Sequence, residues 1–177
     1  PDVLIDAIAD ARERGLDLQL VLVGPEYEAA YARSMRSQIR QPRLEDRVTW
    51  VGFTENVSNA LRAADIYALI SKSEGMPNAL LEAMASGLPC VASAISGVTD
   101  LICDHENGRV IDLADGEWRK AVCDAVVAYA ASGSLRIEHG VRARQTVEAR
   151  FSAQAVLDAH EAMFRRVLAG GPAAPNL

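Results

Sequence analysis

Ser71-Lys72-Ser73-Glu74-Gly75-Met76-Pro77-Asn78-Ala79-Leu80-Leu81-Glu82-Ala83-Met84-Ala85-Ser86-Gly87 decides how the rest of this chain is read. An apolar run at 66–70 leads into it and reads as a buried strand. Glu74-Gly75-Met76-Pro77 reads as a loop, and a helix is predicted to begin near Pro77 and stop at Gly87. Proline lacks an N–H that the first helical turn does not need, and glycine tolerates the left-handed backbone just past a helix end. Two carboxylates, Glu74 and Glu82, flank this strand–loop–helix junction. In open parallel sheets, ligands bind at the carboxyl ends of the strands.

Upstream, Asp2 is placed to cap a helix carrying Leu4, Ile5, Ile8 and Ala11 on one face and ending at Gly15. A strand is expected at 18–23, stopped by Gly24-Pro25. A polar, Arg-rich surface helix follows at 27–40, then a strand at 48–51 and a helix at 56–64. Downstream of the central helix come a strand at 89–92, a helical turn at 99–103, a turn at Asn107-Gly108 and a strand at 109–111. Helical patterns then run over 115–131, 135–150 and 153–168. The strands are short and continuously apolar and alternate with helices, which predicts a parallel sheet covered on both faces. The expected architecture is α/β, doubly wound and Rossmann-like, with one domain over 1–168 and a flexible tail at 169–177.

Composition narrows the function. A chain of 177 residues is long enough for one well-cored domain. The net charge of -6 gives no support to nucleic-acid binding, which usually needs a basic face. No apolar run approaches the ~20 residues of a membrane span. No signal-peptide pattern is visible, and the expected location is cytoplasmic, at the inner face of the membrane in one reading. Cys90, Cys103 and Cys123 lack the spacing of a zinc site or a disulfide framework and read by default as buried cytosolic thiols. The chain enters an amphipathic pattern directly at Pro1, which reads as a piece of something longer.

Several chemistries are missing. There is no G-x-G-x-x-G, no G-x-x-x-x-G-K-[ST], no G-x-S-x-G and no D-x-D to hold a metal on a diphosphate. His105, His139 and His160 are far apart in sequence and read as solvated or locally bonded. The central helix is apolar nearly all round, as expected of a helix buried in a domain, except for a stripe of Asn78, Glu82 and Ser86. That stripe either faces water or lines a cleft. In a cleft its carboxylate needs hydrogen-bond donors, and vicinal sugar or ribose hydroxyls supply them. The helix start beyond Gly75 offers free N–H groups to a phosphate without any Lys or Arg.

The segment from Glu74 to Ala92 closely resembles the E-x7-E segment of the group 1 retaining glycosyltransferases, two-domain enzymes of the GT-B fold. Leu20-Val21-Leu22-Val23-Gly24, Arg47-Val48-Thr49-Trp50-Val51-Gly52-Phe53 and Asn107-Gly108-Arg109-Val110-Ile111 resemble further strands of the family's C-terminal domain. The resemblance implies a nucleotide-sugar donor domain in which Glu82 binds the ribose hydroxyls. It places Glu74 at the donor sugar as the catalytic candidate. Gly75, Met76, Pro77, Asn78, Ala79 and Leu80 would meet the sugar and diphosphate, and Gly52 and Phe53 would lie beside the base. Transfer of a hexose would proceed with retention, from a UDP- or GDP-sugar, without metal or other cofactor. The acceptor implied is a polysaccharide or glycolipid precursor.

Two departures accompany the resemblance. In the family an Arg and a Lys that usually neutralise the leaving diphosphate, the first strand of this domain and the acceptor-binding N-terminal domain all precede the part that matches Pro1, so this chain does not contain them. Loss of that central strand predicts a gap in the sheet and a segment inactive alone, with membrane contact at the inner face left to the missing part. At Ser96-Gly97-Val98-Thr99-Asp100, Ser96 and Asp100 replace the family's usual Gly and Glu. A nucleotide-sugar epimerase of the same fold and a non-catalytic sugar-nucleotide module are the alternative readings.

Overall fold

The computed structural model describes residues 1–25, 29–40, 44–75 and 77–169. Five strands alternate with helices in the order α1 (Asp2–Glu13), β1 (Leu20–Val23), α2 (Ala29–Ile39), β2 (Val48–Gly52), α3 (Val57–Ala63), β3 (Tyr67–Leu69), α4 (Asn78–Ala85), β4 (Cys90–Ser93), β5 (Arg109–Ile111), α5 (Trp118–Ala131), α6 (Gly133–Phe151) and α7 (Ala153–Leu168). Every strand pair is parallel.

β4 shows why these runs are apolar without alternation. Its Cys90 and Ala92 enter a core with Leu80, Ala83 and Met84 of α4, Leu61 of α3 and Ala143 and Val147 of α6. Its Val91 points the other way, into a core with Val3, Leu4 and Ala7 of α1 and Val122, Ala125 and Tyr129 of α5. A strand covered on both faces has no solvent side, so the period of two disappears from the sequence.

The predicted break is present. β1 and β2 form one sheet, with Leu20 opposite Val48, while β3, β4 and β5 form another. α1 bridges the two: Val3, Leu4 and Ala7 pack with the β4 side, and Ile5 and Ile8 pack with Leu20 and Trp50 on the β1–β2 side. The opposite face of β1–β2 leaves Val21, Val23 and Val51 exposed.

Five local expectations change. Asp2 does not cap α1; Pro1 holds that position, and the Asp2 carboxylate instead accepts from the Tyr31 hydroxyl at 2.8 Å and pairs with Arg119 at 2.9 Å. Residues 99–103 form turns rather than helix. Of the three cysteines expected to be buried only Cys90 is; Cys103 is exposed and Cys123 partly so, because the turn and helix that carry them present these positions outward. α2 is not wholly superficial, since Ala32 and Met35 are buried. α4 is buried on one face alone: Leu80, Ala83 and Met84 are enclosed, while Asn78, Ala79, Glu82, Ala85 and Ser86 are exposed. Tyr27, Met76 and residues 170–177 of the expected tail lie outside the described residues.

His139 is one of the locally bonded imidazoles. It is buried on α6, and its Nδ1 lies 2.7 Å from the buried Tyr129 hydroxyl of α5. Burial pulls its pKa below the usual value; Arg142, His105 and Arg109 add to that and Glu138 opposes it. The folded protein therefore prefers neutral His139, and below about pH 6.5 the unfolded chain takes up a proton that the native state resists. Stability is expected to fall as pH drops from about 7.5 to 5.5, by no more than about 1.4 kcal/mol per pH unit from this group. Denaturant unfolding of wild type and His139→Asn over that range checks it: the variant, which keeps an acceptor for Tyr129, should lose this component of the slope.

Candidate functional site

Within each sheet the strands are parallel and their carboxyl ends share an edge, and the candidate residues follow those ends: Gly52 and Phe53 after β2, and Glu74 to Glu82 after β3. β1 ends into Gly24 and β2 ends at Gly52, and the two turns are tied together. The Gly24 N–H donates to the Gly52 carbonyl at 2.8 Å, and the Trp50 indole N–H donates to the Gly24 carbonyl at 3.1 Å. Gly52 has φ +75, a backbone that glycine adopts without strain. It delivers Phe53 outward, 75% exposed, with no described packing role. An exposed aromatic at that edge is available to stack on a planar ligand.

β3 leaves the sheet at Leu69 and the chain reaches Ser71, Glu74 and Gly75 before α4. Glu74 is half-buried and Glu82 is exposed. Tyr67, at the start of β3, senses both carboxylates. Burial pushes its phenol pKa well up, and the fields of Cys90, Glu74 and Glu82 push in the same direction. Among the described residues, neither the Glu74 nor the Glu82 carboxylate makes a hydrogen bond or an ion pair.

The start of α4 is likewise open. Pro77 is the N-cap and supplies no side-chain cap; its carbonyl accepts from Leu80 N–H at 2.9 Å and Leu81 N–H at 3.1 Å. The N–H groups of Asn78 and Ala79 find no acceptor among the described residues. Helix dipoles make such an end attractive to an anion. A Cβ added at Gly75 would meet no described atom within 4 Å, and Gly75 has no positive φ. Neither packing nor backbone geometry within the described chain asks for glycine there.

Two of the expected contact residues are enclosed. Leu80 is fully buried and its N–H donates to the Pro77 carbonyl. Pro77 is buried too, and its carbonyl is occupied. Met76 lies outside the described residues. Glu74, Gly75, Asn78, Ala79 and Glu82 remain accessible along the loop and the first turns of the helix.

A separate groove runs between the 99–107 turn and α6, past Thr99, Asp100, Cys103, Glu106, Arg142 and Arg150. Its two arginines are engaged: Arg150 donates to the Asp100 carbonyl at 2.6 Å, and Arg142 pairs with Glu138 at 2.8 Å. It includes none of the residues of the E-x7-E segment. Among the described residues no group of His, Cys, Asp and Glu is arranged to hold a metal ion.

Two residues that sequence reasoning passed over belong to this edge. Ser93, the last residue of β4, is completely buried, and Gly97 follows in the next turn with φ +81. Ser93 closes an apolar run and carried no motif; its partners are remote in sequence. Gly97 was legible only as a departure in its neighbours.

The architecture defines a doubly wound parallel α/β domain with an open helix start and two carboxylates unpaired among the described residues in the loop and helix that follow β3. The description "Glycosyl transferases group 1" matches residues 1–132, and the chain belongs to that family. It is 28% identical over 86% of its length to N-acetyl-alpha-D-glucosaminyl L-malate synthase of Bacillus anthracis. It is 30% identical over 78% of its length to the lipopolysaccharide core biosynthesis mannosyltransferase LpcC of Rhizobium leguminosarum bv. viciae. The chain spans 39% of the length of each of these relatives. Among solved structures, Anabaena Alr3699/HepE in complex with UDP and glucose superposes over 90% of this chain and 44% of its own, with TM-score 0.76 at 22% identity. The fold is that of one half of a GT-B glycosyltransferase.

Proposed function

We propose that this chain is the nucleotide-sugar donor domain of a retaining, metal-independent glycosyltransferase that moves a hexose from a UDP- or GDP-sugar to a polysaccharide or glycolipid precursor. The observation that carries the reading is the pair of unpartnered carboxylates, Glu74 and Glu82, on either side of an uncapped helix start at the carboxyl edge of the sheet. Glu82, one turn into α4, accepts from the two ribose hydroxyls. The diphosphate lies over the Asn78 and Ala79 N–H groups, and Gly75 leaves room for it where a side chain would intrude. Glu74 then faces the sugar, and Phe53 and Gly52 lie beside the base. UDP in the HepE structure supports a uridine donor for this fold.

Within this reading the acceptor domain and the cations that neutralise the leaving diphosphate belong to the remainder of the enzyme, and the present segment alone is inactive. Contact with the inner face of a membrane belongs, in this reading, to that remainder; no described helix is long and apolar enough to cross a bilayer. In this reading the reaction is cytoplasmic.

Isothermal titration of the full-length enzyme with UDP and with GDP tests the donor assignment. Glu82→Ala should weaken binding of the preferred nucleotide by about 1.5–3 kcal/mol for each charge-assisted hydrogen bond lost. Unchanged affinity in that variant removes the ribose assignment, and no binding of either nucleotide by wild type removes the donor-domain reading.

A further inference from the structure

We infer that Ser93 and Gly97, at the exit of β4, are positioning residues that hold the two ends of the loop carrying Glu74. The inference rests on the donor-site reading of Glu74 given above. Neither residue is placed against a ligand; both act on the loop from beneath it.

The β3–β4 ladder ends with Leu69 opposite Ala92, so backbone pairing stops before the loop begins. Beyond it, the Ser93 hydroxyl takes over. It accepts from the Ser71 N–H at 2.9 Å and donates to the Ser71 carbonyl at 2.6 Å, with the Leu69 carbonyl at 3.4 Å. One buried hydroxyl thus engages both backbone groups of a residue two positions past the strand. Ser71 passes the constraint on: its hydroxyl donates to the Ser73 carbonyl at 3.0 Å, and Ser73 directly precedes Glu74. A hydroxyl with no exposed surface must use its hydrogen-bonding capacity internally, and here it is spent wholly on this chain segment.

Gly97 acts at the far end. A Cβ there would stand 2.8 Å from the Gly75 carbonyl oxygen and 3.1 Å from Pro77 Cδ. Its φ of +81 is also one that other residues rarely adopt. The turn after β4 therefore fits directly beneath Gly75 and the start of α4. Glu74 lies between these two contacts, one set by hydrogen bonds and one by close backbone packing. A carboxylate that must meet one face of a sugar depends on such support, because displacement by about 1 Å can lower turnover by about 100-fold.

The test uses the full-length enzyme with UDP-glucose, UDP-N-acetylglucosamine, UDP-galactose and GDP-mannose as donor probes, kinetics being taken with whichever turns over fastest. Ser93→Ala is expected to lower kcat at least about tenfold while donor KM changes less than about threefold. Ser93→Thr, which keeps the hydroxyl, should recover most of the loss. Hydrogen exchange should show faster amide exchange in a peptide spanning 70–75 in Ser93→Ala, with β4 itself still protected. Gly97→Ala, with Ser93 intact, should reproduce the kcat defect and decides the matter where Ser93→Ala does not fold.

Wild-type kcat in Ser93→Ala and Gly97→Ala, or equal impairment of Ser93→Ala and Ser93→Thr, overturns the positioning role. A Glu74→Ala control separates this from failure of the donor reading. Loss of turnover in Glu74→Ala with none in Ser93→Ala refutes the positioning inference alone. Full turnover in Glu74→Ala refutes the donor assignment beneath it.

Discussion

Glu74→Ala in the full-length enzyme is expected to lower kcat by about 100-fold or more, the scale of loss when a positioned carboxylate is removed from a reacting centre. Affinity for free UDP or GDP should change by less than about threefold, because Glu74 lies on the sugar side of the proposed diphosphate position and Glu82 on the nucleoside side. The carboxylate is half-buried on a loop and makes no hydrogen bond or ion pair within the described chain. Removing it therefore breaks no internal contact, and the thermal midpoint should stay near that of wild type. Steady-state kinetics together with nucleotide titration separates the two carboxylates. Glu82→Ala should show the opposite pattern, with affinity falling more than turnover. If Glu74→Ala loses nucleotide affinity and keeps kcat, the assignment of the two ends of the ligand is reversed.

The second large effect concerns stability. Gly140 lies inside α6 where that helix meets the end of α4. A Cβ at this position would collide with the Gly87 carbonyl oxygen and stand 3.6 Å from Pro89 Cδ. The obstructing atom is backbone, and Gly87 itself has φ +76, a turn with little freedom to retreat. Alanine in place of glycine within a helix ordinarily gains about 1 kcal/mol. Here the gain is outweighed, because overpacking a rigid contact costs about 1–3 kcal/mol and more when backbone must move. Gly140→Ala is expected to destabilise by about 3 kcal/mol or more, read as a fall in the urea midpoint with an unchanged slope. A stabilised variant would mean that α4 and α6 do not approach as closely as described. The same contact also sets α4 at a fixed height against α6, so it bears indirectly on where Glu82 stands.

How much of this was legible beforehand differs from residue to residue. Ile66 to Ile70 and the β4 run announced themselves as strands because burial on both faces demands unbroken apolar sequence. Gly87 marked the end of α4 because its positive φ suits glycine. The break between β1 and β3 followed from the family resemblance, and composition gave no sign of it. α4 shows the limit of periodicity. Small residues at Ala79 and Ala85 made it read as buried all round, yet both are exposed, since alanine is compatible with either side of a helix. Asp2 was read as a cap by its position in sequence, whereas tertiary partners, Tyr31 and Arg119, claim its carboxylate.

By itself the sequence determined the alternation of elements, the parallel sheet and the placement of Glu74 and Glu82 around a loop and a helix start. These depend on local spacing and on whether a run is apolar, which neighbouring residues record. The tertiary structure alone decided which groups remain free and which are spent. It showed that Leu80 and Pro77 are consumed by the helix start, that both carboxylates are unpaired within the described chain, and that Ser93 holds Ser71 across 22 positions of sequence. A hydrogen bond or a close backbone approach between distant segments leaves no periodic trace in either one. It exists only once the fold has brought them together.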